Sequence, residues 1–250
     1  MHGALAIFQR DAIVFWRELW GQLLTTVAMP LTFLLIFGFG LGGSIRDIEG
    51  VPYAVFVIPG LVSMAAVISA FDDASWGLWY HRVVQGTINE YRVNPITTYD
   101  IVIGKIFSGF FKAVVKGLVT ALVLIAFARH AVEPAHLPAY ALFILLGSVV
   151  FSCAGTLMGT LADDPETLGR VEGVVVFPLV FLGGVFFPLS AYPDFILPYV
   201  RLLPTTAIFD GSREALLAGR VDPLYIAVLA ATSVVAFVVA VIVFDRKLSR

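Results

Sequence analysis

The sequence predicts an all-α integral membrane protein: six transmembrane helices, an N-terminal amphipathic helix in the membrane interface, and an external re-entrant helical pair before the last span. Three observations carry this reading. Hydrophobic residues make up 59% of the chain and charged residues 14%, with a mean hydropathy of +0.93; a soluble domain is nearer a quarter charged. Apolar runs long enough to cross a hydrocarbon core of about 30 Å recur along the chain. The stretch 171–213 is interrupted by Pro178, Pro188, Pro193, Pro198 and Pro204, yet it stays apolar far beyond the point where a straight helix must end. Broken backbone at membrane depth needs internal hydrogen-bond partners, so it lies under protein or at the interface. No uncharged polar linker divides the chain, and a single domain over 1–250 is expected.

Residues 4–21 are read as the interfacial helix. At 100° per residue Phe8, Ala12, Phe15, Trp16, Leu19 and Trp20 share one face, and Arg10, Asp11, Arg17 and Glu18 the other. Ile7, Gln9 and Val14 break the pattern. Those charges also argue against a signal peptide. The six spans are placed at 23–41, 51–71, 101–128, 138–161, 171–187 and 224–244. Pro30 should kink the first. The fourth carries Gly155 and Gly159 with Ser148, Ser152 and Thr156 at four-residue spacing, which lets helices approach closely, within a subunit or between subunits. After the fifth span, 191–203 and 205–217 form the external pair. Its Tyr192, Phe195, Tyr199, Arg201 and Phe209 are candidates for an outer gate, with the aromatics at headgroup level and Arg201, Arg213 and Glu214 facing water or each other.

An even number of spans puts both termini on one side. Eleven of the sixteen Lys and Arg residues fall on that side and five on the other, which makes the terminal side cytoplasmic.

Several chemistries find no support. The net charge is −2, without a basic patch for nucleic acid. The single cysteine, Cys153, cannot form an internal disulfide. His130 and His136 sit in a short loop and are read as solvated. With the second span ending at Phe71, and with Glu172 at the very start of the fifth, no acidic residue falls in the interior of an apolar run, which disfavours a secondary carrier. No G-x-x-x-x-G-K-[ST] loop occurs: Gly104-Lys105 is followed by Ile. The chain is therefore expected to be no enzyme and to bind no cofactor, and any nucleotide energy must enter through another subunit. The polar segment 72–100 is the one predicted cytoplasmic loop long enough to receive it.

That segment carries a resemblance. Gln85, Gly86, Thr87, Ile88, Asn89, Glu90, Tyr91 and Arg92, followed by Pro95-Ile96 and Gly104-Lys105, resemble the GT-x-E-x-L-x-x-x-P and G-K segment of type 2 ABC exporter permeases. The runs Phe181-Leu-Gly-Gly-Val-Phe-Phe-Pro, Leu203-Pro-Thr-Thr and Asp210-Gly-Ser-Arg-Glu-Ala-Leu-Leu-Ala-Gly219 are similar to that class around its fifth span. One departure is that Asn89 stands where the class carries an acidic residue, and Glu90 follows it. The resemblance covers essentially the whole chain. It implies the permease subunit of an exporter of amphiphiles such as lipid-linked glycans, glycolipids or hydrophobic drugs. It also implies a second permease copy, and a cytoplasmic ABC ATP-binding subunit that holds ATP and Mg. The chain would reside in the bacterial inner membrane, and residues 85–92 would form the coupling helix seated on the ATPase. Thr87 and Glu90 have capping-box spacing. The alternatives are a membrane-embedded enzyme or assembly factor, and a passive channel or secondary carrier.

Lys105, Lys112 and Lys116 share one face of the third span. The uncharged remainder from Gly117 to Ala128 is about 18 Å long, so Lys116 starts within the membrane depth. These lysines either snorkel to headgroups or line a cytoplasmic entrance that attracts an anionic head group.

Overall fold

The computed structural model describes residues 2–40, 42, 47, 48, 50–87 and 97–248. Among them almost everything is helical, apart from loops and one antiparallel bridge between Ile48 and Val51. Helix α1 spans His2–Arg17. Helix α2 spans Leu19–Phe33 and is prolonged by wide i→i+5 turns over Leu34–Gly40. Helix α3 spans Tyr53–Trp79 and continues in wide turns over Tyr80–Val84. Helices α4 (Thr98–Ile125) and α5 (Leu137–Leu161) follow. A helical run then combines α6 (Pro165–Val171), wide turns at Glu172–Val176 and α7 (Phe177–Leu182). The short α8 (Leu197–Arg201) leads to α9 (Pro204–Arg213), which runs on through Glu214–Ala218, and α10 (Pro223–Leu248) closes the bundle.

Among the described residues, five helical stretches are long and apolar enough to cross a membrane: Leu19–Gly40, Tyr53–Val84, Thr98–Ala128, Pro134–Leu161 and Pro223–Lys247. They match five of the predicted spans, with the second longer than expected. The predicted fifth span differs. Helix stops at Leu182 rather than Phe187, because Gly183 and Gly184 turn the chain, Gly184 at a φ of +92° that favours glycine. Glu166, Arg170 and Glu172 also crowd the first half of this run.

Helix α3 is the axis of the bundle. Its most apolar window is 83% buried, against 17% in α10 and 22% in α2. Small residues explain its burial. A Cβ added at Gly155 would collide with the backbone of Phe71, and one at Gly159 would lie 2.5 Å from the Ser75 carbonyl. On the other side, a Cβ at Gly117 would lie 2.9 Å from the Ala66 side chain. The small-residue seam of α5 therefore packs within the subunit, against α3. The main core gathers Phe56, Leu61, Phe71, Phe143, Ile208 and Phe209 around this axis.

Helix α1 lies across α4 on a face that shares Phe8 and Phe15 with the one its periodicity predicts but is rotated toward Ile7 and Asp11. Ile7, Asp11 and Phe15, four residues apart, are buried, while Trp16 and Trp20 are exposed. Phe8 packs edge-on against Phe107 and Phe111 at centroid distances of 4.9 and 5.4 Å. Asp11, assigned to the water-facing side, points into the protein because it has a charge partner there.

Candidate functional site

Three polar clusters are held in this apolar frame. The first ties α1 to α3 and α4. The Lys105 ammonium donates to Asp11 Oδ2 at 2.7 Å, and both side chains are almost fully buried. Arg10 donates to Asp11 Oδ1 at 2.9 Å, and Arg10 and Lys105 both reach the Nδ1 of His81. Since neither cation can accept, that ring nitrogen accepts. Burial alone would raise the Asp11 carboxyl. The charges and hydrogen bonds of Lys105 and Arg10 outweigh it and hold the group at about 2.

The second cluster lies deeper, where α3 faces α4 and the 165–182 run. Asp73 receives Lys116 at 2.7 Å and Lys112 at 3.7 Å. Beside them is a cavity of about 270 Å³. Its wall comprises Thr25, Thr26, Met29 and Pro30 of α2, Met64, Ala65, Ile68, Ser69 and Asp72 of α3, and Lys116, Glu172 and Phe177. Asp72 lies about 28 Å along α3 from Tyr53 at 1.5 Å per residue, so the cavity sits near one edge of a hydrocarbon core of about 30 Å. The predicted loop was expected to start at Asp72. The helix runs through it to Val84, because Asp73 is neutralised by two lysines and the segment beyond is apolar on its inner face. Acidic groups are thus present within an apolar helix, and their absence no longer counts against a secondary carrier.

The three lysines accordingly divide. Lys105 belongs to the α1 anchor, while Lys112 and Lys116 share Asp73, and Lys116 also lines the cavity. Each has a carboxylate partner where the sequence offered headgroups or an open entrance.

The third cluster closes the other end. Arg213, expected to face water, is 2% exposed. Its guanidinium donates to the carbonyls of Gly184 (2.6 Å), Val185 and Phe56 (3.3 Å each), contacts Asp210 at 3.2 Å and stacks 3.9 Å over the Phe56 ring. The Tyr225 hydroxyl donates to the other Asp210 oxygen at 2.8 Å. The arginine thereby satisfies the backbone freed where the 165–182 run breaks. Phe209, proposed as an outer aromatic, is fully buried for the same reason: α9 enters the bundle rather than lying over it. Phe195, Tyr199 and Arg201 are exposed as expected, and Tyr192 donates to the Leu182 carbonyl at 2.8 Å. His136 is half-buried, with Nδ1 3.1 Å from the Leu216 carbonyl, so it is no solvated loop residue.

At the end of α3, Arg82 donates to the Gly159 and Ala162 carbonyls and to Asp163. Lys247 donates to the Leu161 carbonyl and to Asp163 at 2.7 Å. Cations thus cap the C-terminal end of α5. Beyond Val84 the chain turns at Gly86, where φ is +65°, and Thr87 donates to the His81 carbonyl at 3.1 Å. Ile88, Asn89, Glu90, Tyr91 and Arg92 lie outside the described residues. The capping box that the structure does show is at Thr97 and Asp100, opening α4.

Sequence reasoning missed Asp72, Asp73 and Glu172 as internal groups, and Asp210, Arg213 and Tyr225 as a network. The apolar run Leu78-Trp79-Tyr80 after the two aspartates was the available signal for the first set. No local signal marked the second.

Long apolar helices around a buried axis, with ionised groups paired between them, define a multi-pass membrane protein with internal polar sites. Residues 3–217 match the ABC-2 type transporter family, and the chain belongs to that family. It is 30% identical over 220 residues to the inner membrane transport permease YadH of Escherichia coli, covering 88% of this chain and 84% of that protein. It is 28% identical over 249 residues to nodulation protein J of Azorhizobium caulinodans (96% and 95% of the two chains). The same identity is found with nodulation protein J of Bradyrhizobium diazoefficiens, over 98% and 94%.

Proposed function

We propose that this chain is the membrane-spanning subunit of an ATP-driven exporter that moves an amphiphilic or lipid-like substrate outward. Two copies would pair, each with a separate cytoplasmic ABC subunit that binds ATP and Mg and performs the hydrolysis. The chain then crosses the inner membrane six times, the 165–182 run being one crossing, with both termini in the cytoplasm. The observation that carries this reading is the prolonged α3. It extends about 18 Å beyond Asp72 at 1.5 Å per residue, and it is tied at its end to α1, α4 and α5 through His81 and Arg82. Residues 85–92 therefore start from a rigid post that projects from the membrane body. A coupling segment needs such a post if movement of an ATPase is to reach the spans. In this arrangement α8, the half-buried Tyr192 and the exposed Phe195, Tyr199 and Arg201 stand at the outer end of the path.

The test is co-purification with a candidate ATPase, followed by reconstitution. Replacing Glu90 or Tyr91 by alanine should leave expression and ATPase binding measurable but reduce transport-coupled ATP turnover at least tenfold. Unchanged coupling in both variants would remove the coupling-helix assignment. Failure of any ABC subunit to associate would remove the exporter reading itself.

A further inference from the structure

We infer that the cavity walled by α2, α3, α4 and the 165–182 run binds the cationic head group, a protonated or quaternary ammonium, of the amphiphile that the proposed exporter carries. The inference deepens that reading by naming a substrate class.

The carboxyl groups at the cavity outnumber the ammonium groups. Three acids, Asp72, Asp73 and Glu172, face two bases, Lys112 and Lys116. Asp73 engages both lysines and balances one of their two charges, which leaves a single ammonium charge against the two further carboxyl groups of Asp72 and Glu172. Asp72 Oδ1 is buried without a hydrogen-bond partner, and Glu172 makes no ion pair among the described residues. A buried carboxylate oxygen without a donor is costly, and a cation entering the cavity would meet it. The rest of the lining suits an alkylated ammonium. Phe177 offers an aromatic face, Met29 and Met64 are polarizable, and Thr25, Thr26 and Ser69 supply hydroxyls for a primary amine.

Size and depth point the same way. At about 270 Å³ the cavity lies just below the roughly 300–1,000 Å³ that enclose whole drug-sized ligands. It takes a head group rather than a complete amphiphile. It sits near one edge of the hydrocarbon core, and Thr25 and Met29 on its α2 wall are exposed, so an attached chain can leave alongside α2 toward lipid. The lysine face, read from the sequence as either snorkelling to headgroups or lining an entrance for anions, here holds Asp73 beside the acidic groups of the cavity.

The experiment uses the full chain in lipid nanodiscs without any ATPase, so its outcome is independent of whether an ABC subunit couples. Radiolabelled phenyltrimethylammonium is titrated, with tert-butylbenzene as its uncharged isostere and benzenesulfonate as an anionic competitor. We expect saturable binding of about one probe per chain and little competition from either of the other two. Asp72→Asn and Glu172→Gln should each weaken binding at least tenfold. Thr26→Phe, which fills the cavity and leaves both carboxylates in place, should abolish it. Thermal unfolding in the same nanodiscs checks that each variant is folded, and any one folded variant suffices. Absence of saturable binding in the parent protein, equal affinity in the folded variants, or equal competition by tert-butylbenzene would each overturn the inference.

Discussion

Replacement of Arg213 by methionine tests the account of how the break after α7 is held. Methionine keeps much of the side chain's length and apolar contact but removes the guanidinium. The carbonyls of Phe56, Gly184 and Val185 then lose a donor, and Asp210 loses its cation. A buried acceptor left without a donor costs about 1–3 kcal/mol, and removing one partner of a buried ion pair costs about 3–5 kcal/mol. These costs overlap, because Tyr225 still donates to Asp210 and the Gly183-Gly184 turn can relax. The expected loss is about 3–5 kcal/mol, a large fraction of the roughly 5–15 kcal/mol that holds a typical protein folded. Arg213→Lys keeps the charge beside Asp210 but cannot reach Phe56 and Gly184 together, so about 1–2 kcal/mol should be lost. Adding Asp210→Asn to Arg213→Met should cost less than the sum of the two single changes, since the uncompensated carboxylate is then gone. Unfolding by denaturant in mixed micelles, followed by tryptophan fluorescence, gives the comparison. An Arg213→Met protein within about 0.5 kcal/mol of the parent, where an ordinary surface change falls, would refute the argument.

Two further outcomes are expected. The Asp11 carboxyl is held below its ordinary value of 3.8, at about 2; a depressed carboxyl contributes stability that is complete above the unfolded value and fades as pH falls through the folded one. A fluorophore on α1 should therefore report α1 docked at pH 7 and released as pH falls between about 4 and 2, and Asp11→Asn should show weakened docking at pH 7; release already complete at pH 5 would contradict the pairing. Cys153, the single cysteine, is fully buried and gives no labelling background; an Asp194→Cys variant should react with an impermeant thiol reagent added outside cells, and labelling from the cytoplasmic face alone would invert the proposed topology.

What could be read in advance followed from local pattern. Spans over Leu19–Gly40, Thr98–Ala128, Pro134–Leu161 and Pro223–Lys247 were visible because twenty or so apolar residues have one economical conformation in lipid. The break at Gly183 was anticipated from Pro188 and the prolines beyond it, although it comes five residues early. The lost information concerns charges whose partners are remote in sequence. Nothing around Asp73 announces Lys112 and Lys116, so a loop was the natural reading of Asp72 onward. Nothing around Arg213 announces the carbonyls of Phe56 and Gly184, so an exterior position was assigned to a residue at the centre of the fold. The buried face of α1 was misread in part for the same reason, since Lys105 turns Asp11 inward.

The glycine seams flanking α3 have a mechanical consequence. Where a single Cβ at Gly109, Gly117, Gly155 or Gly159 would strike the neighbouring helix within about 3 Å, the helices are separated by little more than their own atoms, and no cushion of long side chains remains to absorb sliding. Such surfaces do not creep past one another; they move as a single stiff strut. Helices α3, α4 and α5 therefore translate force as one body. Any widening of the protein must be taken up at its looser rim, by α2 and α10, which turn most of their surface outward. The cavity lies on the seam between strut and rim, with α2 as its outer wall, so a tilt of the strut against α2 changes its volume directly.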